Sequence, residues 1–200
     1  MFRRVGRNLL LFQQVEHFLK FILAIHKYGG TAESYQANQQ EQVACMHKKM
    51  LGHLVEKYAN EVLQDAGEEV PEEDRPAGWF SFSFRISGGT EFVESLRRDL
   101  KLMTDERTEL VHHFLPRWQP DSPDKITETL AYLDAQRDKV LPMHEHFKST
   151  VTHMQESGRL LSNFMASPEY EKQSELLWLQ ASPLVHLLRD VATQYQRKDG

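Results

Sequence analysis

Apolar residues recur at helical spacing along most of the chain. In the first segment Leu9, Phe12, Glu16, Leu19 and Leu23 follow one another at three and four, and Leu10, Phe18, Ile22 and Ile25 widen the stripe. This pattern predicts a helix from Arg3 to Lys27, ended by Tyr28-Gly29-Gly30. A second helix is expected over Glu33 to Asp65, with Met46, Met50, Leu54, Tyr58 and Val62 on one stripe. The acidic, proline-containing stretch from Gly67 to Gly78 reads as a loop. Phe80-Ser-Phe-Ser-Phe-Arg-Ile-Ser87 then alternates strictly, a period of two that helical packing does not produce. It predicts one short strand or hairpin that covers a flank of the helices or pairs with a copy of itself. The aromatics Trp79, Phe80, Phe82 and Phe84 are expected to bury against the helices, stacking on bases being the alternative.

A third helix is predicted from Thr90 to Leu115, before Pro116, and a fourth from the turn Pro120-Asp-Ser-Pro123 to Met165, with Pro142 kinking or breaking it. Helical character continues from Ser167-Pro168 to the last residues, with an interruption at Pro183. The expected fold is all-α: a four-helix-bundle core over residues 1–165 with a kinked fourth helix and a strand-like insert at 79–87. Residues 166–200 would form a C-terminal helical extension.

Composition is that of a globular chain, with 40% hydrophobic and 26% charged residues. A net charge of −5 confines any nucleic-acid contact to a local basic patch. The lone Cys45 excludes an intrachain disulfide or a thiolate zinc cluster and fits a reducing compartment. Gln13, Gln14, Glu16, His17 and Lys20 interrupt the early apolar run, and no stretch reaches membrane-spanning length, so a cytoplasmic protein without membrane association is expected.

Chemistry concentrates on the third helix. Phe92, Leu96, Leu100, Met103, Arg107, Leu110 and Phe114 form a seam in which Arg107 is the one charged member. A guanidinium there must reach solvent at the bundle's edge, pair with an acid such as Glu16, or serve a site, because burying it bare is costly. Arg107 and His112 stand in an Arg-x4-His pair, a spacing that says little in a chain with 10 histidines.

The surrounding words say more. Glu-Arg-Thr-Glu-Leu-Val-His-His-Phe-Leu at 106–115, near the end of a third bundle helix, resembles the signature segment of the HEPN superfamily (higher eukaryotes and prokaryotes nucleotide-binding domains). The first helix, Gly6 to Lys20, is also similar to the opening helix of bacterial members. The likeness covers residues 1–165 in helix order but only about ten residues as a motif.

The resemblance implies a metal-independent endoribonuclease that needs no cofactor and acts as a homodimer on RNA. It further implies a toxin or phage-defence role with an antitoxin or defence-system partner protein. Arg107 and His112 would be its catalytic pair: histidine moves protons near neutral pH, and arginine steadies charge on a phosphorane. Thr108 stands where active relatives often carry asparagine, aspartate or histidine, and Phe114 where some carry a modifiable tyrosine. Thr108 supports the alternative, a catalytically inactive HEPN-like dimerisation or regulatory module.

On a regular helix, residues five apart point about 140° from each other. A local bulge before Pro116, a long arginine reach, or a site assembled from two protomers would bring Arg107 and His112 together, and the family favours the last. Arg97, Lys101, Thr108 and His112 share one helical face, and with Arg98 and His113 they form a candidate RNA track. Equally, that face is an ordinary solvated one diluted by Glu94 and Asp105. Arg3, Arg4 and Arg7 form a second basic cluster. His112-His113, His144-Glu-His146 and Glu109-x-x-His112 raise a metal reading, but the chain has no second Glu-x-x-His for a di-iron bundle, and no metal is expected. His144 and His146 are expected in solvent, and Met46, Met50 and Met103 in the core.

Overall fold

A computed structural model describes residues 1–31, 33–66, 79–114, 118, 122–170 and 172. The fold is mostly α-helical. In chain order it comprises α1 (Phe2–Ile25), β1 (Lys27–Gly30), α2 (Tyr35–His47), α3 (Leu51–Glu61), β2 (Leu63–Asp65), β3 (Phe80–Ser83), β4 (Ile86–Gly88), α4 (Thr90–Thr108) and α5 (Pro123–Met165). α4 runs directly into a π-helical turn at Glu109–His113. The chain divides into two compact units, Met1–Met154 and Gln155–Gly200. The expected loop at 67–78, the helix end at Leu115-Pro116 and the last helical stretch from 173 onward lie outside the described residues.

The core of the first unit is built at helical spacing from Phe12, Val15, Leu19 and Ile22 of α1, Leu51, Leu54 and Tyr58 of α3, Val93, Leu96, Leu100 and Met103 of α4, and Leu133, Val140, Met143 and Phe147 of α5. The Tyr58 ring meets Phe147 edge-on, with centroids 5.1 Å apart. Leu9 and Leu10, included in the expected stripe of α1, are exposed, while Asn8 and Val15 are buried in their place. α5 opens with Pro123 at its first position, where a missing N–H costs nothing, and Ser122 Oγ accepts the Lys125 N–H at 3.3 Å. Its 43 residues run through Pro142 without a break. Pro142 lies on the exposed side, where water can serve the carbonyl its ring leaves without a partner.

Four expectations are corrected. The helix predicted over 33–65 is two helices and a strand: i→i+3 bonds from Lys48 and Lys49 N–H close α2, and Met50 enters α3 with extended backbone. Met50 is therefore 67% exposed rather than core. The Tyr28-Gly29-Gly30 segment is a strand, not a terminating turn, and β1 pairs antiparallel with β3 from Lys27↔Ser83 to Gly30↔Phe80. A side chain at Gly30 would run into Ser34 Oγ at 2.9 Å and the backbone of Tyr35, so the close turn into α2 requires glycine. Third, the alternating segment pairs within its own chain in two places, since β4 also runs parallel to β2, Leu63↔Ile86 to Asp65↔Gly88. It stitches the chain leaving α1 to the chain leaving α3, and Phe84 N–H donating to His26 O adds a further stitch. Finally, two of the aromatics are not buried: Phe82 is 45% exposed and Trp79 37%, while Phe84 is half-buried against the core. A two-stranded ribbon has one face with nothing to pack on.

In the second unit, residues 155–165 complete α5 and Arg159 pairs with Glu156. Ser167 Oγ donates to Phe164 O at 2.7 Å and accepts the Tyr170 N–H, so a tight turn follows the helix.

Candidate functional site

The end of α4 is where the sequence-predicted residues gather. The buried stripe runs Val93, Leu96, Leu100, Met103, Glu106, Leu110 and Phe114, which corrects the expected seam at two positions. Phe92 is 47% exposed, lying over Gly88, where a Cβ would overlap its ring. The charged member of the seam is Glu106, 8% exposed, and Arg107 is half-buried beside it.

Glu106 can occupy a core position because its oxygens are matched. Lys139 on α5 bonds one oxygen and Gln136 Nε2 donates to the other at 3.3 Å. Gln136, 1% exposed, also donates to the Glu106 backbone O at 3.0 Å and to Tyr132 Oη at 3.2 Å. Its own oxygen accepts from Asn8 Nδ2 at 3.1 Å, and Asn8 donates again to Leu133 O at 2.8 Å. Arg7 adds bonds to Asn8 Oδ1 and to Asp134, which also pairs with Arg4. Two arginines of the expected N-terminal basic cluster are therefore tied to α5. The network links α1, α4 and α5. Its sequence signal was a lone glutamine in the otherwise apolar stripe Leu133, Gln136, Val140, Met143 and Phe147.

On the outer side the helix changes winding. From Glu109 to His113 the backbone is π-helical, with i→i+5 bonding. Such a turn holds one residue more than an α-helical turn. Residues five apart across it take the relation that residues four apart have in an α-helix, about 40° rather than about 140°. Arg107 precedes this turn and His112 lies within it, so the angle between them falls between these two values. Of the three solutions to their geometry, the structure contains a local irregularity, the π turn, which narrows the angle that a regular helix would set between them.

His112 and His113 are exposed, their rings 6.4 Å apart and steeply inclined. Among the described residues Arg107 makes no hydrogen bond or ion pair; Glu16, considered as its partner, pairs with Lys20. Along the expected RNA track, Arg97 pairs with Glu94 and Lys101 with Asp105, while Arg98 is exposed. The Thr108 hydroxyl donates back to Thr104 O at 3.0 Å. Beside the π turn lies a cleft of about 350 Å³ whose walls include Glu109, Phe114, Trp118 and Tyr132, and Trp118 Nε1 is buried with no hydrogen-bond partner among the described residues.

The other histidines behave differently. His146, expected in solvent, is half-buried with Nε2 2.9 Å from Tyr58 Oη, and burial lowers its pKa. His144, also expected in solvent, has a largely covered ring that meets Gln14 Oε1 at 3.0 Å. Both cap polar gaps where α5 crosses α1 and α3. His26, 2% exposed, points Nδ1 at Leu23 O and Nε2 at Glu61; burial lowers its pKa although both neighbours favour the proton. Burial pushes the Glu61 carboxyl up, but Lys57 and His26 outweigh it and hold the group below its ordinary value.

Among the described residues no group of three or more His, Cys, Asp or Glu side chains is placed to hold a metal ion, and no helix is long and apolar enough to cross a membrane. The site stands on its own geometry: no family model, curated protein or solved structure matches the chain.

Proposed function

We propose that the protein is a HEPN-type, metal-independent endoribonuclease that works as a cytoplasmic homodimer, with Arg107 and His112 of each chain as a catalytic pair. The reading is supported by the π-helical turn at Glu109–His113, which follows a guanidinium with no partner among the described residues and carries an exposed imidazole. Irregular turns of this kind sit at functional sites more often than elsewhere. His112 takes the proton from an RNA 2′-hydroxyl, whose oxygen attacks phosphorus. Arg107 faces the charge gathering on the phosphorane oxygens. The 5′-oxygen leaves with a proton from water, giving a 2′,3′-cyclic phosphate and a 5′-hydroxyl. A toxin or defence role with a protein partner accords with the same family likeness.

A second reading, a catalytically silent dimerisation module, draws support from Arg97 and Lys101, whose charges are matched by Glu94 and Asp105, and from Thr108, whose hydroxyl is turned to its own helix. Purified protein incubated with single-stranded RNA in excess EDTA separates the two. Cleavage leaving cyclic phosphate ends is expected. Intact RNA beside a protein that light scattering shows to be a dimer would overturn the nuclease and favour the silent module.

A further inference from the structure

We propose that Gln136 is a positioning residue whose buried carboxamide holds the π-helical turn open and so narrows the angle between His112 and Arg107; the link to catalysis rests on the function proposed above.

A π turn shifts the ladder from i→i+4 to i→i+5, and the carbonyls at its N-terminal edge lose their regular donors. At Glu106, three residues before the turn, the helix offers the backbone O a shared N–H, that of Glu109, which also reaches Asp105 O. There a donor arrives from outside the helix: Gln136 Nε2 bonds the Glu106 carbonyl at 3.0 Å and the Glu106 carboxylate at 3.3 Å. Insertion of a side-chain donor beside a helical ladder is a recognised cause of local irregularity.

The amide is also fixed in the correct sense. Asn8 Nδ2 donates to Gln136 Oε1, which leaves only the Nε2 end for Glu106, and Asn8 is itself oriented by Arg7 Nε and Leu133 O. A glutamine this deeply buried would be costly without such partners. Leucine or methionine would fill the same volume but could not bond the carbonyl. α1 and α5 thus act on the winding of α4 through one side chain.

Gln136→Met keeps the volume and removes the donor. In the variant, residues 109–113 should return to α-helical winding, read from backbone NMR shifts and amide–amide contacts. His112 would then turn away from Arg107, towards the roughly 140° separation of a regular helix. RNA cleavage should fall on the order of 10²-fold in kcat, with KM little changed, because a misplaced group loses rate rather than binding. Asn8→Ala, which frees the amide to flip, should give a weaker version of both effects, and it carries the test if Gln136→Met does not fold. A π turn that persists in a folded Gln136→Met protein overturns the inference, whatever the RNA assay shows. Loss of the turn with undiminished cleavage upholds the hold on the turn and overturns Arg107 and His112 as the pair.

Discussion

The two sides of α4 around residue 107 carry similar groups under opposite conditions. Inward, Glu106 lies in the core with its carboxylate and carbonyl bonded by Lys139 and Gln136, and Gln136 is held in turn by Asn8. Outward, one residue on, Arg107 has no bonding partner among the described residues, and His112 stands exposed across an irregular turn. Satisfied polar groups in a core specify one arrangement of helices, whereas unsatisfied ones at a surface are available to a ligand. The inner side is a satisfied network and the outer side presents groups open to a ligand, and the Gln136 bond to the Glu106 carbonyl is the contact that couples them.

The largest expected effect is on the outer side. His112→Ala should lower RNA cleavage by roughly 10²–10⁴-fold while leaving the melting temperature almost unmoved, as an exposed substitution does. Equal loss of cleavage and stability would mean that the imidazole is structural and the contrast false. Arg107→Ala should cost on the order of 10²–10³-fold in kcat, the usual loss when one donor to a developing anion is removed. Arg107→Lys should restore only part of it, since a point charge cannot grip two oxygens.

On the inner side the expected loss is stability. Glu106→Ala removes one acceptor of the Gln136 amide, which keeps the Glu106 carbonyl and Tyr132 Oη, while half-exposed Lys139 recovers water, so unfolding free energy should fall by roughly 0.5–1.5 kcal/mol. Urea denaturation checks this, and no loss at all would show the network to be dispensable. The smallest effect concerns pH. His146 and His26 have pKa values lowered by burial from 6.5, so between that value and their folded values the unfolded chain binds more protons. Stability should then decline as pH falls below about 6.5. His146→Gln should flatten this decline, provided its amide still reaches Tyr58 Oη.

The fold class was legible in the chain because three- and four-residue spacing marks most helices, and the expected turn ending at Pro123 lay next to the start of α5, which takes in Pro123 itself. What failed followed from tertiary contact. Met46 to Val62 keeps helical spacing across the break at Lys48–Met50, so periodicity could not reveal that α2 and α3 are separate. The strand at 80–83 was visible by its alternation, but its partner Lys27–Gly30 has no such signal and is a strand only because β3 pairs with it. At the site, spacing drew attention to Arg107 and His112 but exchanged the seam roles of Arg107 and Glu106. That exchange depends on Gln136 and Lys139, some thirty residues away in sequence. The π turn departs from the regular helix expected there, and nothing in residues 109–113 alone distinguishes it from α.

Two mixtures test from opposite directions whether one chain supplies both members of the pair. Wild-type chains are combined with the Arg107→Ala/His112→Ala double variant, and separately the two single variants are combined with each other. After subunit exchange, RNA cleavage by each heterodimer is measured. A one-chain site predicts that the heterodimer with one wild-type chain keeps about half of the wild-type rate, and that the heterodimer of single variants stays inactive. The reverse result, activity regained by the two single variants together and lost from the wild-type/double heterodimer, would place the site between protomers and contradict the account.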